Sequence, residues 1–376
     1  MYVRQVILPQ VLKWLRPGKV VVVYGARRVG KTTLVGKAVE ESGYKTLKLN
    51  GDDIVARELL GSQSLERLRT LVGGNELLVV DEAQRIPGIG QSLKLLVDEV
   101  SGLRVLATGS SSFDLAKETG EPLTGRKMTF HLHPLSQKEL GGVESLNKTL
   151  SSLESRLIYG SYPEVVLSSD DEERRAYLRE LVDSYLLKDI LQFDSVRKSD
   201  KIIRLLQLVA LQIGGEVSVT ELGTQLGLGK NTVDRYLDLL VKSFVLIRRG
   251  GFSRNLRKEI TKNVRYYFVD NGIRNSLIAN HNPMSLRGDT GQVWENYIVS
   301  ERIKVLDYAG TGMNSYFWRT HDGQEIDVVE EEGGKLAGYE IKWGKCRTKP
   351  PRAWMSSYPD ATFRIVNKDN YLEYIT

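Results

Sequence analysis

Apolar residues in the first third of the chain fall into five short runs separated by stretches of helical spacing: Val20 to Tyr24, Thr46 to Leu49, Leu77 to Val80, Val105 to Thr108 and Met128 to Leu132. Strands alternating with helices in this way predict a parallel sheet covered on both faces. From Leu153 to Ile213 the spacing becomes helical, interrupted by Gly160-Ser161-Tyr162-Pro163-Glu164. A short helix is then predicted over Val217 to Leu226, a turn at Gly227-Leu228-Gly229, and a second helix from Lys230 to Leu240 with Val233, Leu237 and Leu240 on one face. Two strand-like runs follow, Phe244 to Arg249 and Val264 to Val269. The last quarter offers an amphipathic helix, Gly291 to Glu301, and strands at Gln324 to Val329 and Gly338 to Trp343, with Gly333-Gly334 turning between them.

These patterns divide the chain into segments 1–140, 141–213, 214–280 and 281–376. At 376 residues the chain is long enough for two or three domains. A hydrophobic fraction of 41% with 27% charged residues is that of a globular protein. No apolar run approaches the length of a membrane span and Met1 to Gln5 lacks a signal-peptide core, so a cytoplasmic protein with no membrane partner is expected. The lone Cys346 excludes a disulfide framework within the chain, and the four histidines form no close-spaced metal motif.

The chemistry begins directly behind the first apolar run. Gly25-Ala26-Arg27-Arg28-Val29-Gly30-Lys31-Thr32-Thr33 fits G-x-x-x-x-G-K-T between a strand and a helix. The glycines let the backbone curl around a phosphate chain, Lys31 can reach the β- and γ-phosphates, and the Thr32 hydroxyl can ligate Mg²⁺. The third run ends in Asp81-Glu82: Asp81 is placed for the Mg²⁺ shell, and Glu82 can orient and deprotonate an attacking water. The fourth run ends Thr108-Gly109-Ser110; a polar residue here would lie beside the γ-phosphate, with Ser110 the first candidate and Thr108 the second. No N-K-x-D guanine-reading motif and no protein-kinase signature set occurs, so GTPase and kinase readings are weaker.

This order of motifs, with Val80 to Gln84, Thr108 to Ser111, Leu123-Thr124-Gly125-Arg126 and Pro134-Leu135-Ser136, resembles the AAA+ ATPases. It resembles most a prokaryotic, largely archaeal family that joins such an ATPase to a conserved carboxy-terminal region. The resemblance implies that Arg126, just before the fifth strand, is an arginine finger serving a neighbouring subunit, and hence a homo-oligomer.

The net charge of +6 is matched by one short segment, where Arg248, Arg249, Arg254, Arg257, Lys258, Lys262 and Arg265 stand against Glu259 alone. Such a stripe suits a polyanion, although a solvated face would read the same way. The paired helices resemble a helix-turn-helix, and the flanking strands would complete a winged helix. Double-stranded DNA would then meet Lys230 and Arg235 in the major groove and Arg248, Arg249 and Arg254 at its phosphates. A winged helix used for protein contacts is the alternative.

In the last segment, alternation puts Glu325 and Asp327 on one strand face and Glu340 and Lys342 on one face of the next strand, beside Glu295 of the helix. This resembles the D…(D/E)-x-K core of restriction-endonuclease-like nucleases, which implies metal ligands Glu295, Asp327 and Glu340, with Lys342 positioning water. An ordinary hairpin with cross-strand ion pairs is the plainer alternative. The fold expected is therefore α/β: an AAA+ P-loop parallel-sheet domain, a helical and winged-helix segment, and a restriction-endonuclease-like α/β domain. The function expected is Mg²⁺-dependent ATP hydrolysis coupled to a DNA-binding half. A nucleotide switch acting through protein contacts and an ATP-gated nuclease are the alternatives.

Overall fold

The computed structural model describes residues 2–109, 123–186, 199–253, 264–344 and 349–376. Ser110 and Arg254 lie outside the described residues. The chain divides into two compact units, one of Tyr2–Pro134 with Lys242–Phe244 and one of Leu135–Val241 with Val245–Thr376. Apart from Lys242–Phe244, the second unit thus takes in the three segments expected beyond residue 140.

In the first unit the five apolar runs form strands β1 (Val20–Tyr24), β2 (Thr46–Asn50), β3 (Leu77–Asp81), β4 (Arg104–Gly109) and β5 (Lys127–His131). They pair in the order β2-β3-β4-β1-β5, and every pairing is parallel. β1 is buried along its whole length, as a central strand of a sheet covered on both faces must be. Val20, Val22, Leu78, Val80, Val105 and Ala107 pack with Leu93 and Leu96 of the helix Ile89–Glu99 in one hydrophobic cluster. Because β4 lies between β3 and β1, the segments that leave the carboxyl ends of these three strands emerge side by side.

The second unit begins with Ser136, which caps its helix reciprocally with Glu139. The break at Gly160-Ser161 acquires a physical explanation. An added Cβ at Gly160 would fall within bonding distance of the Asp270 carboxylate, whose Oδ2 accepts the Ser161 N–H at 2.7 Å. Asp270 also caps the helix Asn271–Leu277 through its Oδ1. One carboxylate thereby ties two distant chain segments together, and only glycine leaves it room.

Helices Ser199–Leu211, Val219–Leu226 and Lys230–Lys242 accompany β6 (Glu216–Val217), β7 (Leu246–Gly250) and β8 (Val264–Phe268), which form a three-stranded antiparallel sheet in the order β6-β8-β7. Val217 is a strand residue, so the first of the two helices predicted around the glycine turn starts two residues later than expected. Strands β9 (Asn314–Arg319), β10 (Glu325–Glu332), β11 (Lys335–Ile341) and β12 (Thr362–Val366) form a second sheet, antiparallel except for the parallel β11–β12 pair. The long helix Thr290–Ala309 precedes them and the helix Arg352–Ser357 leads into β12. Gly333 and Gly334 both have positive φ, 55° and 80°, the conformation a two-residue hairpin requires. The two sheets meet where Gly251 bridges Phe317 and the Phe252 N–H donates to the Phe317 carbonyl at 2.6 Å. That junction carries β8 to the edge of the acidic hairpin. Among the described residues no helix is long and apolar enough to cross a membrane.

Candidate functional site

The glycine-rich loop leaves β1 and closes onto the helix Lys31–Ser42. Gly25 is obligatory by contact, since an added Cβ would lie 2.3 Å from the Leu132 carbonyl oxygen. Gly30 is obligatory by conformation, at φ 100°, and Arg28 also has positive φ. Between them Ala26, Arg27 and Val29 complete the turn, with Val29 buried in the fold beneath it. No side chain caps the helix, and an anion is the natural complement of such an N-terminus. The Lys31 ammonium is held inside the loop, donating to the carbonyls of Gly25 at 2.8 Å and Ala26 at 2.9 Å. Thr32 and Thr33 are exposed in the first turn.

Asp81 ends β3 facing this helix, and the Thr32 hydroxyl lies 3.5 Å from its Oδ2. Its other oxygen accepts a hydrogen bond from the Thr108 hydroxyl of β4. Glu82 follows in a left-handed conformation, φ 49°, with its N–H shared between Asp81 Oδ1 at 3.1 Å and Thr108 Oγ1 at 3.3 Å. Such a backbone costs a non-glycine residue about 1 kcal/mol. It directs the Glu82 carboxylate out of the strand line, where the Gln84 side-chain amide donates to it. Thr108, fully buried, is therefore the polar residue on β4 that joins the acids. It lies within the strand, in register with Val23 of β1; Ser110, the first candidate from the sequence, is outside the described residues.

Arg126 lies at the other end of the sheet. Its carbonyl accepts from the Val20 N–H, at the start of β1, whereas the loop follows Tyr24 at the end. A strand of that length spans roughly 15 Å, so the guanidinium is out of reach of its own loop. It is half-buried and paired with Asp98 at 2.6 Å.

In the second unit, Glu295, Asp327, Glu340 and Lys342 come together as the alternation implied, joined by two residues the pattern did not assign to them. Arg265 of β8 enters the cluster, its Nη1 3.8 Å from Glu295 and 3.7 Å from Asp327 and its Nη2 2.8 Å from Glu325. Tyr267, two residues on and on the same strand face, donates its hydroxyl to Glu295 at 2.7 Å. Asp327 Oδ2 accepts the Ile341 N–H at 2.8 Å, and Lys342 pairs with Glu340 at 2.6 Å. Burial, and then the charge of Asp327, push the Glu295 carboxyl up to about 8. Burial likewise raises Asp327 and Glu340 above the ordinary carboxylate range. The cluster opens into a cleft of about 530 Å³ that Glu216, Gln292 and Arg319 also line.

The cationic expectations divide. Lys230, Arg235 and Arg248 are exposed on their helix and strand. Arg249 is not a phosphate contact: only 2% of it is exposed, and its guanidinium lies over the Tyr267 ring. Strand alternation explains the correction, because Arg249 stands opposite Arg265 on the inward face while Arg248 faces out. The stripe is therefore not one continuous solvated face.

The two cation sites expected from the sequence fare differently. Thr32 and Asp81 present a hydroxyl and a carboxylate, hard oxygen donors that suit Mg²⁺ shared with phosphates. At the acidic cleft a guanidinium already stands between two of the three carboxylates, and this arrangement does not fit a divalent ion.

Residues 17–141 match the family described as AAA domain, which supports an AAA+ ATPase domain in the first unit. Residues 150–284 and 290–373 match two domains of unknown function, DUF8612 and DUF4143. An uncharacterized protein of Mycobacterium tuberculosis is 28% identical over 344 residues, 90% of this chain and 72% of its own length. Uncharacterized proteins of Haemophilus influenzae (25% identical; 90% and 86% covered) and Methanocaldococcus jannaschii (23%; 76% and 67%) are also similar, so relatives occur in bacteria as well as archaea. Among solved structures, the replication initiator DnaA bound to AMPPCP and single-stranded DNA has a TM-score of 0.31, with 14% identity over 62% of this chain and 86% of that one. The Thermotoga maritima RuvB Holliday junction branch migration motor has a TM-score of 0.32, with 18% identity and 64% and 87% covered.

Proposed function

We propose that this chain is a Mg²⁺-dependent ATPase whose nucleotide state controls a DNA-binding second unit. The observation that carries the reading is the convergence of Lys31, Thr32, Asp81, Glu82 and Thr108 at the carboxyl edge of the parallel sheet. Thr32 and Asp81 would hold the magnesium, which when bound neutralises charge on the phosphates. Lys31 exchanges its loop carbonyls for phosphate oxygens. Glu82 accepts the proton of the attacking water, and Gln84 keeps its carboxylate aimed. Thr108 holds Asp81 and the Glu82 backbone in one rigid group, so a change at the phosphates is felt along β3 and β4 together. Arg126, out of reach of its own loop, would leave Asp98 to serve the nucleotide of a neighbouring subunit.

The second unit supports DNA binding through the order helix, β6, helix, helix, β7, β8, that of a winged helix. Lys230 and Arg235 on the second helix of the pair and Arg248 on the wing supply exposed cations. The helix, three antiparallel strands, helix and parallel fourth strand that follow have the order of a nuclease-like domain. Arg265 favours a second reading of that domain, as a binding rather than a cleaving module, because it neutralises the carboxylates that cleavage would need for metal.

Steady-state ATP hydrolysis tests the first claim. Lys31→Ala and Glu82→Gln should each lower turnover by about 100-fold or more, with Glu82→Gln retaining nucleotide binding. Wild-type turnover in either variant would overturn the assignment.

A further inference from the structure

A half-open cavity of about 290 Å³ in the second unit is lined by Arg175, Arg179, Ser276, Ala279, His281 and Asn282. It is separate from the nucleotide loop and from the acidic cleft, and all six residues fall within the segment that matches DUF8612. Arg175 and Arg179 stand four residues apart on the helix Asp171–Glu180, so their guanidinium groups leave the same face. Ser276 sits near the end of the helix Asn271–Leu277, and the loop behind it supplies His281 and Asn282.

The charges around this cavity are unbalanced. Neighbouring arginines have acids: Arg174 pairs with Asp171, and Arg274 and Arg287 share Asp289. Among the described residues no carboxylate pairs with Arg175 or Arg179 and none lines the cavity. Arg175 donates to the Tyr159 hydroxyl at 3.3 Å, a hydroxyl that the Asp171 carboxylate also engages. His281 lines the same cavity. Its ring stacks on Tyr159 with centroids 5.7 Å apart and its Nε2 lies 3.0 Å from the Ser276 hydroxyl. Burial, then the positive charges of Arg175, Arg287 and Arg179, lower its pKa to about 4. The imidazole is therefore neutral near pH 7 and can offer the cavity a hydrogen bond without adding charge.

We propose that this cavity binds a phosphate group, carried either by a free phosphorylated small molecule or by a nucleic-acid backbone. Two planar guanidinium groups match a tetrahedral oxyanion by paired N–H donation, and Ser276 and Asn282 add a hydroxyl and an amide. The volume is at the small end for ligand pockets, enough for the phosphate and a modest substituent. The proposal does not rest on the ATPase reading, since no lining residue belongs to the loop-bearing unit.

The test uses the full chain carrying Lys31→Ala, which removes the competing phosphate site. Calorimetric titration with inorganic phosphate and pyrophosphate, and anisotropy with a labelled DNA duplex, are compared with and without Arg175→Gln plus Arg179→Gln. Both arginines are exposed, so melting should not change. Loss of free phosphate or pyrophosphate binding by about tenfold or more assigns a small-molecule source. An equal loss confined to the duplex assigns the backbone, and Ser276→Ala should weaken the same ligand by a smaller factor. If neither free phosphate nor duplex binding changes in the double variant, the proposal is wrong.

Discussion

Glu295 is pulled in opposite directions by its neighbours: burial and Asp327 favour its protonated form, Tyr267 and Arg265 its carboxylate. Protonation wins, with the pKa raised from 4.5 to about 8. The folded chain therefore holds a proton that the unfolded chain has released across that window. Stability conferred by this group is complete below about pH 4.5 and is lost as pH rises towards 8. With divalent ions chelated, wild type should lose stability relative to Glu295→Gln between about pH 5 and pH 8, by up to about 1.4 kcal/mol per pH unit. Thermal melts across that range check it, and a constant gap between the two proteins would contradict it. The acids of this cluster were legible in the sequence because strand alternation and a two-glycine turn fix which side chains share a face. Arg265 was not, because it comes from a strand of another sheet, and a run of cations reads as a solvated stripe until the strand's inward face is known. The bridge made by Thr108 was hidden for a related reason, since a buried hydroxyl joining two strands is not visible in a sequence.

At the level of elements, β7 gives two adjacent arginines opposite tasks. Arg248 faces solvent, whereas Arg249 is packed inward over Tyr267. Arg248→Gln should weaken duplex binding and make its salt dependence shallower by about one unit of slope, with no change in melting. Arg249→Met should leave the salt slope alone and keep or raise the melting temperature, since a buried guanidinium is costly to desolvate. Equal effects of the two on DNA affinity would remove the wing from the interface. The five parallel strands were legible to within a residue or two, because buried strands of such a sheet are continuous apolar runs. Val217 was misread as helical: a two-residue strand is shorter than any periodicity can register, and its pairing with Val264 is decided by tertiary contact. The Gly160-Ser161 break was visible as punctuation, but its reason, the Asp270 carboxylate more than a hundred residues away, was not.

For the whole molecule, the phosphate-binding loop and its acids belong to one compact unit and the cationic and acidic surfaces to the other. The sequence announces both sets of residues, but the merging of Leu135–Val241 and Val245–Thr376 into one unit rests on long-range ties such as Asp270 to Ser161 and Phe252 to Phe317. Coupling between nucleotide and DNA is the central claim, and duplex affinity measured in defined nucleotide states tests it most directly. Glu82→Gln, which should bind ATP without hydrolysing it, should show a duplex affinity at least about fivefold different with Mg²⁺-ATP than with ADP, and adding Lys31→Ala should abolish the difference. Equal affinity in the two nucleotide states would contradict the account.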